Sequence, residues 1–132
     1  MSQENVELVR EGFEAFNRGD FDWLSRSHDP AIEWTTTSED PDATTHRGPE
    51  AVRRYFEEWT GSFSGLHGEL EECFEVSEDR VFVTARFTGR GTTSSIDMDW
   101  RLSLAYTLRD GRLIRVVEYF DRTEALAAVG LS

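Results

Sequence analysis

A single carboxylate, Glu118, stands among apolar residues in the run Arg112–Phe120. Burying an unpaired carboxylate is costly, so such a group must be paired, protonated or hydrated within a cavity. Apolar surroundings raise the pKa of a carboxyl group, which suits it to general acid or general base catalysis near neutral pH. The same group can instead bond a helix residue or a tyrosine and only order the core, and the sequence leaves both alternatives open.

A second carboxylate, Glu33, lies on the candidate strand Ala31–Thr37. Alternation along a strand places Trp34 opposite to Glu33 and Thr35, so only one of these two sets faces inward. If Glu33 faces Glu118, the two carboxylates can hold one proton between them, which is a known route to a raised pKa. Glu33 is therefore the second candidate catalytic residue.

Other polar residues have simpler explanations. Asp121 and Glu124 have the spacing of a capping box, which predicts that Asp121 is the N-cap of a final helix. The histidines His28, His46 and His67 lie far apart and lack paired-ligand spacing, so we expect no metal site. The sequence also contains no glycine-rich phosphate loop and no nucleophile elbow.

The hairpin that carries Glu118 decides where its side chain points, because a shift of one residue turns every side chain to the other face. A two-residue turn at Asp110-Gly111 places Glu118 with small and polar residues of the preceding strand. A three-residue turn that includes Arg109 shifts the pairing by one residue and turns Glu118 to the opposite face. We predict the three-residue turn, because it gathers the large apolar residues onto the face of Glu118, namely Trp100, Leu102, Leu104, Tyr106, Ile114, Val116 and Phe120.

Hydrophobic periodicity predicts the remaining elements. Helical spacing indicates a first helix ending near Gly19, a second over 21–27 and a third opened by Pro49, with a polar loop over 38–45 between the last two. Gly61, Gly65 and Gly68 predict a loose connection after the third helix. Residues 69–120 predict a four-strand antiparallel meander, in whose first strand Leu70, Phe74 and Val76 share one face. This order of elements predicts an α+β fold in a single domain, residues 1–132.

Composition limits the partners. Fourteen basic residues against 26 acidic ones give a net charge of -12, which repels nucleic acid and anionic membranes. The lone cysteine, Cys73, fits a reducing compartment. No secretion signal and no membrane-spanning apolar run is visible, so we expect a cytoplasmic protein.

Several local motifs resemble those of SnoaL-like domains in the nuclear-transport-factor-2-like superfamily, which includes polyketide cyclases, ketosteroid isomerase and limonene epoxide hydrolase. The motifs cover nearly the whole chain and are Phe16–Asp20, His46–Val52, Leu108–Leu113, Tyr119–Asp121 and Glu124–Leu131. The resemblance implies a curved antiparallel sheet wrapped around the N-terminal helices as a cystatin-like α+β barrel. It also implies a cone-shaped apolar pocket and a homodimer.

The resemblance places the pocket between the helices and the sheet face that we assign to Glu118. It favours Glu33 and Thr35, rather than Trp34, as the inward set. The candidate pocket residues are Thr35, Trp34, Tyr55, Trp59, Phe87, Trp100, Leu104 and Tyr106.

The catalytic residues of these enzymes mostly do not carry over. The first-helix tyrosine of the steroid isomerase falls at Gly12, its general base at or near Thr35, and its oxyanion acid near Leu104. One aspartate of the epoxide hydrolase falls on Glu118, but the rest of its triad is absent. Polyketide cyclases of this group use a carboxylate base near the end of the sheet, which Glu118 or Asp121 can supply.

The sequence therefore predicts a protein that binds a hydrophobic small molecule bearing a carbonyl or an epoxide. If it is an enzyme, it is a cofactor-independent isomerase, cyclase or hydrolase in which Glu118 is the general acid or base. The alternative is a non-catalytic dimeric module, either structural or a ligand carrier, whose cone is filled by its own side chains.

Overall fold

The computed structural model of the chain describes residues 2–37 and 44–131. The predicted polar loop over 38–45 falls mostly outside these ranges. The elements follow in the order α1 (Ser2–Arg18), α2 (Phe21–Ser27), β1 (His28–Thr35), β2 (Thr45–Arg47), α3 (Pro49–Ser62), β3 (Phe63–Ser77), β4 (Arg80–Gly91), β5 (Asp97–Arg109), β6 (Arg112–Tyr119) and α4 (Arg122–Ala128).

The six strands form one sheet in the order β2-β1-β6-β5-β4-β3. Strands β3 to β6 make the predicted antiparallel meander. Strand β1 joins β6 in parallel, and β2 lies antiparallel beside β1 at the edge. The predicted α+β class is confirmed, but the sheet is mixed rather than wholly antiparallel, and β2 and β3 are free edges that leave it unclosed.

Helices α1, α2 and α3 cover one face of the sheet, which we call the inner face, whereas α4 covers part of the outer face. The main core lies beneath α1 to α3, where Val9 and Val52 pack against strand residues such as Val83. A smaller core joins Phe82 of β4 to Ala125 of α4. Among the described residues, no helix is both long and apolar enough to span a bilayer.

The predicted loose connection after α3 is wrong, because β3 begins directly after that helix and includes both Gly65 and Gly68. Gly68 serves close packing instead. Its backbone N–H donates to Asn17 Oδ1 and its carbonyl accepts from Asn17 Nδ2, both at 2.9 Å. A Cβ atom at this position would lie 2.8 Å from the Phe87 ring of β4 and 3.4 Å from the Phe13 ring of α1, so glycine leaves room for both rings.

A β-bulge in β3 overturns the predicted face of its later residues. Leu70 pairs with β4 in one register, and pairing resumes one residue later after Glu71. The extra residue reverses the alternation that follows it. Phe74 and Val76 therefore pack beneath α4 on the outer face, opposite to Leu70.

The hairpin turn differs from the prediction. Arg109 pairs with Arg112, so the turn has only two residues, and positive φ angles at Asp110 (52°) and Gly111 (75°) are typical of a type I′ turn. The three-residue turn that we predicted is wrong. The right-handed twist of the strands favours the observed turn type.

The predicted face of Glu118 is nevertheless correct. A bulge at Ile114 adds one residue to β6 and so shifts the register by the same amount as a three-residue turn would have done. Beyond the bulge, Glu118 pairs with Leu104 and so lies on the inner face. Ile114 itself is the bulged residue. Leu113 pairs with Leu108 and takes the buried position that we predicted for Ile114.

The N-cap prediction for Asp121 is confirmed. Its Oδ1 accepts the backbone N–H groups of Thr123 at 2.8 Å and Glu124 at 3.4 Å at the start of α4. These bonds satisfy donors that have no partner inside the first turn of a helix.

Candidate active site

Two adjoining cavities lie between the inner face and the helices. The deep cavity has a volume of about 70 Å³ and mostly apolar walls from α1, α2, α3 and the sheet. The wide cavity has a volume of about 510 Å³ and lies toward α3, β2 and the end of the hairpin. Four residues line both, namely Tyr55, Trp59, Leu102 and Glu118, so Glu118 lies where the cavities meet.

The Glu118 carboxyl group is buried and held by two neutral donors. Glu118 is only 4% exposed. Its Oε2 accepts hydrogen bonds from Trp34 Nε1 at 2.7 Å and Tyr55 Oη at 2.8 Å. Burial raises the pKa of Glu118 from 4.5 to about 7, although both hydrogen bonds act to lower it.

No arginine side chain lines either cavity among the described residues. The ionised form of Glu118 is therefore stabilised there by hydrogen-bond dipoles, without a direct ion pair. Its protonated and ionised forms have similar free energies near neutral pH, as a general acid or base requires.

Aromatic packing fixes the two donors. The Trp34 indole packs edge-on against the Phe56 ring, with centroids 5.0 Å apart and planes at 88°. The Tyr55 ring stacks on the His46 imidazole, with centroids 4.5 Å apart. Since Tyr55 and Phe56 are neighbours on α3, that helix sets the positions of both donors together.

A buried histidine lies in the wall of the deep cavity. His28 is 3% exposed, and neither ring nitrogen has a hydrogen-bond partner. Its ring contacts Trp34 and Phe56, with centroids 6.3 and 6.2 Å away. Burial lowers the pKa of His28 from 6.5 to about 4, so the imidazole is neutral at neutral pH.

The family model described as SnoaL-like domain matches residues 9–116, which is most of the chain. The chain belongs to the SnoaL-like domain family. The resemblance stated from the sequence is thereby confirmed. No curated protein matches the sequence.

Solved structures share the fold of this SnoaL-like domain. Bal32a, from a soil-derived mobile gene cassette, has a TM-score of 0.81 and 28% identity, with 97% of each chain covered. A Jannaschia sp. protein described as a SnoaL-like polyketide cyclase has a TM-score of 0.80 and 22% identity, over 100% of this chain and 95% of its own. TerC, co-crystallised with polyporic acid, has a TM-score of 0.76 and 18% identity, over 96% and 98%.

The structure brings most of the candidate pocket residues of this SnoaL-like domain to the cavities. Tyr55 and Trp59 line both cavities, and Trp100 lines the wide one. The deep cavity is also lined by Trp34, Phe87, Leu104 and Tyr106. Thr35 lines neither, because its hydroxyl group lies 2.9 Å from that of Thr45 on the other side of β1.

The inward set on β1 is the reverse of the one that the resemblance favoured. Trp34 pairs with Val116 of β6, which places its indole on the inner face beside Glu118. Glu33 consequently points the other way, with 47% of its side chain exposed and an ion pair to Arg47 at 3.5 Å. The predicted Glu33–Glu118 carboxylate pair does not form.

Sequence reasoning missed two histidines of the cavity walls. Their spacing was considered only for metal binding. His28 is the first residue of β1 and lines the deep cavity, and His46 lies on β2 in the wall of the wide cavity. Within the described ranges, no three His, Cys, Asp or Glu side chains come together as a metal site.

Proposed function

We propose that this protein binds a hydrophobic small molecule in the two adjoining cavities and catalyses proton transfer on it through Glu118. One observation carries the proposal. A carboxyl group that is almost fully buried lies at the junction of the cavities, and its burial raises its pKa to about 7. Acid–base groups of enzymes are tuned to this range by the same means.

The reaction class that suits one such carboxyl group is proton abstraction next to a carbonyl. Ionised Glu118 accepts a proton from the carbon beside the ligand carbonyl, and the C–H electron pair passes to the carbonyl oxygen as an enolate. Protonated Glu118 then returns the proton to the same carbon or to a conjugated one. The step balances without an oxidant, a reductant or a cofactor.

The chemistry of the walls favours a neutral, largely aromatic or alicyclic ligand. Trp34, Trp59, Trp100 and Phe87 provide ring faces and edges for such a molecule. The chain contains no lysine, so carbonyl activation by a lysine Schiff base is excluded for this sequence. TerC, which shares the fold, was co-crystallised with polyporic acid, and this supports an organic ligand for the present cavities.

Deuterium exchange tests the proposal with a defined probe. β-Tetralone has acidic protons beside its carbonyl, and their replacement in D₂O can be followed by proton NMR. We expect the protein to accelerate this exchange and Glu118→Gln to reduce the acceleration at least ~100-fold, as is typical for loss of a general base. Glutamine keeps the shape of the side chain and an oxygen acceptor for Trp34 and Tyr55.

Glu71→Gln is the matched control, because Glu71 is a carboxylate of the outer face that pairs with Arg101. It should leave the exchange rate unchanged. Retained exchange in Glu118→Gln would overturn the catalytic role. Binding of β-tetralone without accelerated exchange would instead favour a ligand carrier, and native mass spectrometry would identify a co-purified ligand in either case.

We also propose that the protein is a homodimer, as the family resemblance implies. Sedimentation equilibrium measures this directly. A mass corresponding to a single 15.1 kDa chain across the concentration range would contradict it.

A further inference from the structure

His28 is a polar group of the deep cavity that the proton-transfer mechanism does not use. Within the described ranges, its Nδ1 and Nε2 are the buried side-chain nitrogen or oxygen atoms that lack a hydrogen-bond partner. A neutral imidazole has one N–H donor and one acceptor, and leaving both unpaired in the interior is unfavourable. Unsatisfied buried groups of this kind call for a ligand or an ordered water molecule.

The surroundings of His28 restrict what such a partner can be. The ring packs against both Trp34 and Phe56, and the adjacent Ser27 hydroxyl group donates to Leu24 O at 2.7 Å. The other walls near it are apolar side chains of α1, α2 and the sheet. Among the described residues, no arginine side chain lines this cavity to compensate an anion.

We propose that His28 binds a neutral oxygen group, a hydroxyl or a ketone carbonyl, at the end of the ligand that enters the deep cavity. The proposal rests on the proposed function, since it concerns the ligand of the same cavities. It assigns His28 to binding and Glu118 to proton transfer.

The cavity volumes set the shape of this ligand. The deep cavity has a volume of about 70 Å³, several times smaller than the wide one, so the narrower end of the ligand enters the deep cavity. The bulk of the ligand then lies in the wide cavity of about 510 Å³. Glu118 lines both cavities, so the reacting carbon lies near their junction while the leading oxygen reaches His28.

Three probes of matched size test the proposal by isothermal titration calorimetry. Phenethyl alcohol, propylbenzene and phenylacetate carry a hydroxyl, a methyl and a carboxylate group on a short arm. We expect the alcohol to bind about tenfold more tightly than propylbenzene, as one additional buried hydrogen bond allows. Phenylacetate should bind more weakly than the alcohol, because the neutral imidazole offers its charge no counter-ion.

Substitutions of His28 and Glu118 identify the group that provides this preference. His28→Phe should abolish the preference for the alcohol over propylbenzene, and His28→Gln should retain part of it through its side-chain amide. Glu118→Gln should keep the preference. A preference that survives in His28→Phe and disappears in Glu118→Gln would overturn the proposal.

Nitrogen NMR of the imidazole in the unsubstituted protein gives a readout that does not depend on the folding of a variant. Saturation with phenethyl alcohol should shift a His28 ring nitrogen resonance, and saturation with propylbenzene should not. A crystal structure of the alcohol complex in which a water molecule alone bonds His28 would overturn the assignment.

The same titrations separate the two proposals. If none of the three probes binds and β-tetralone does not bind either, the proposed function fails, and the role of His28 fails with it. If the probes bind with equal affinity, only the role of His28 is overturned.

Discussion

Carboxylates on the two faces of the same sheet are stabilised in different ways. On the outer face, Glu71 and Asp99 bond to the guanidinium groups of Arg101 and Arg86. These bonds lower the pKa of both carboxyl groups. On the inner face, Glu118 receives only an indole N–H and a phenol O–H, and burial raises its pKa to about 7.

The difference shows how one sheet can carry both permanently ionised surface carboxylates and a buried carboxyl group that exchanges its proton near neutral pH. An exposed carboxylate beside an arginine remains ionised at every physiological pH and cannot exchange protons usefully. A buried carboxyl group with neutral donors is also held by hydrogen bonds, but its proton is available near neutral pH. The type of donor, arginine or neutral, therefore distinguishes the candidate catalytic carboxylate from its neighbours.

The largest stability effect that we expect is the pH dependence that Glu118 contributes, which Glu118→Gln should remove. Because folding raises the pKa of Glu118 from 4.5 to about 7, the folded state binds the proton more tightly in this range. The free energy of unfolding should fall by ~3 kcal/mol as the pH rises from 4.5 past 7. Glu118→Gln should lack this decrease in urea titrations across the range, and an identical decrease in both proteins would contradict the raised pKa.

His28 should make the free energy of unfolding depend on pH to a similar extent, but with the opposite sign. Burial lowers its pKa from 6.5 to about 4, so the unfolded chain binds a proton that the folded chain does not. Stability should be lost by ~3 kcal/mol as the pH falls from 6.5 to 4. His28→Phe should remove this loss, and urea titrations of the two proteins at both pH values measure it.

A smaller effect is expected when one neutral donor of the inner face is removed. Tyr55→Phe deletes the hydrogen bond from Tyr55 Oη to Glu118 Oε2, which favours the ionised carboxylate. The pKa of Glu118 should rise by about one unit, since one unit corresponds to ~1.4 kcal/mol and bonds to charged groups are of this size. Carbon NMR of the Glu118 carboxyl group measures the change. Trp34→Phe should act in the same direction, and an unchanged or lower pKa would show that these donors do not stabilise the charge.

The smallest effect is expected on the outer face. Arg101→Met with Glu71→Gln, measured singly and together, gives the coupling energy of an exposed ion pair. Solvent and salt screen such pairs, so the coupling should be weak in dilute buffer and should vanish in concentrated NaCl. A strong coupling that persists at high salt would remove the contrast between the two faces.

The sequence predicts well those features that depend on local pattern. The apolar stripes of α1 and α3 and the cap at Asp121 all form as predicted. The inward direction of Glu118 was also correct, since burial of the large apolar residues of β5 decides the register whichever turn is used.

Features that depend on an extra residue in a strand, or on a distant partner, were not predictable. The bulge at Glu71 reverses the faces of Phe74 and Val76 without any change in their own pattern. The inward side of β1 depends on its parallel register with β6, which no local signal encodes. His28 is flanked by Ser27 and Asp29, and a polar run of this kind predicts a loop rather than the wall of a cavity.

The bulge at Ile114 makes the candidate site sensitive to insertion. Removing the Ile114 codon would convert the bulge into a regular ladder and leave Glu118 opposite Leu104. Inserting one codon between the bulge and Glu118 would leave every candidate side chain encoded, but it would place Val117 opposite Leu104 and turn Glu118 to the outer face. Related genes can therefore lose the inward carboxylate by a change in strand length alone, so alignment gaps here are as informative about this site as substitutions of the carboxylate itself.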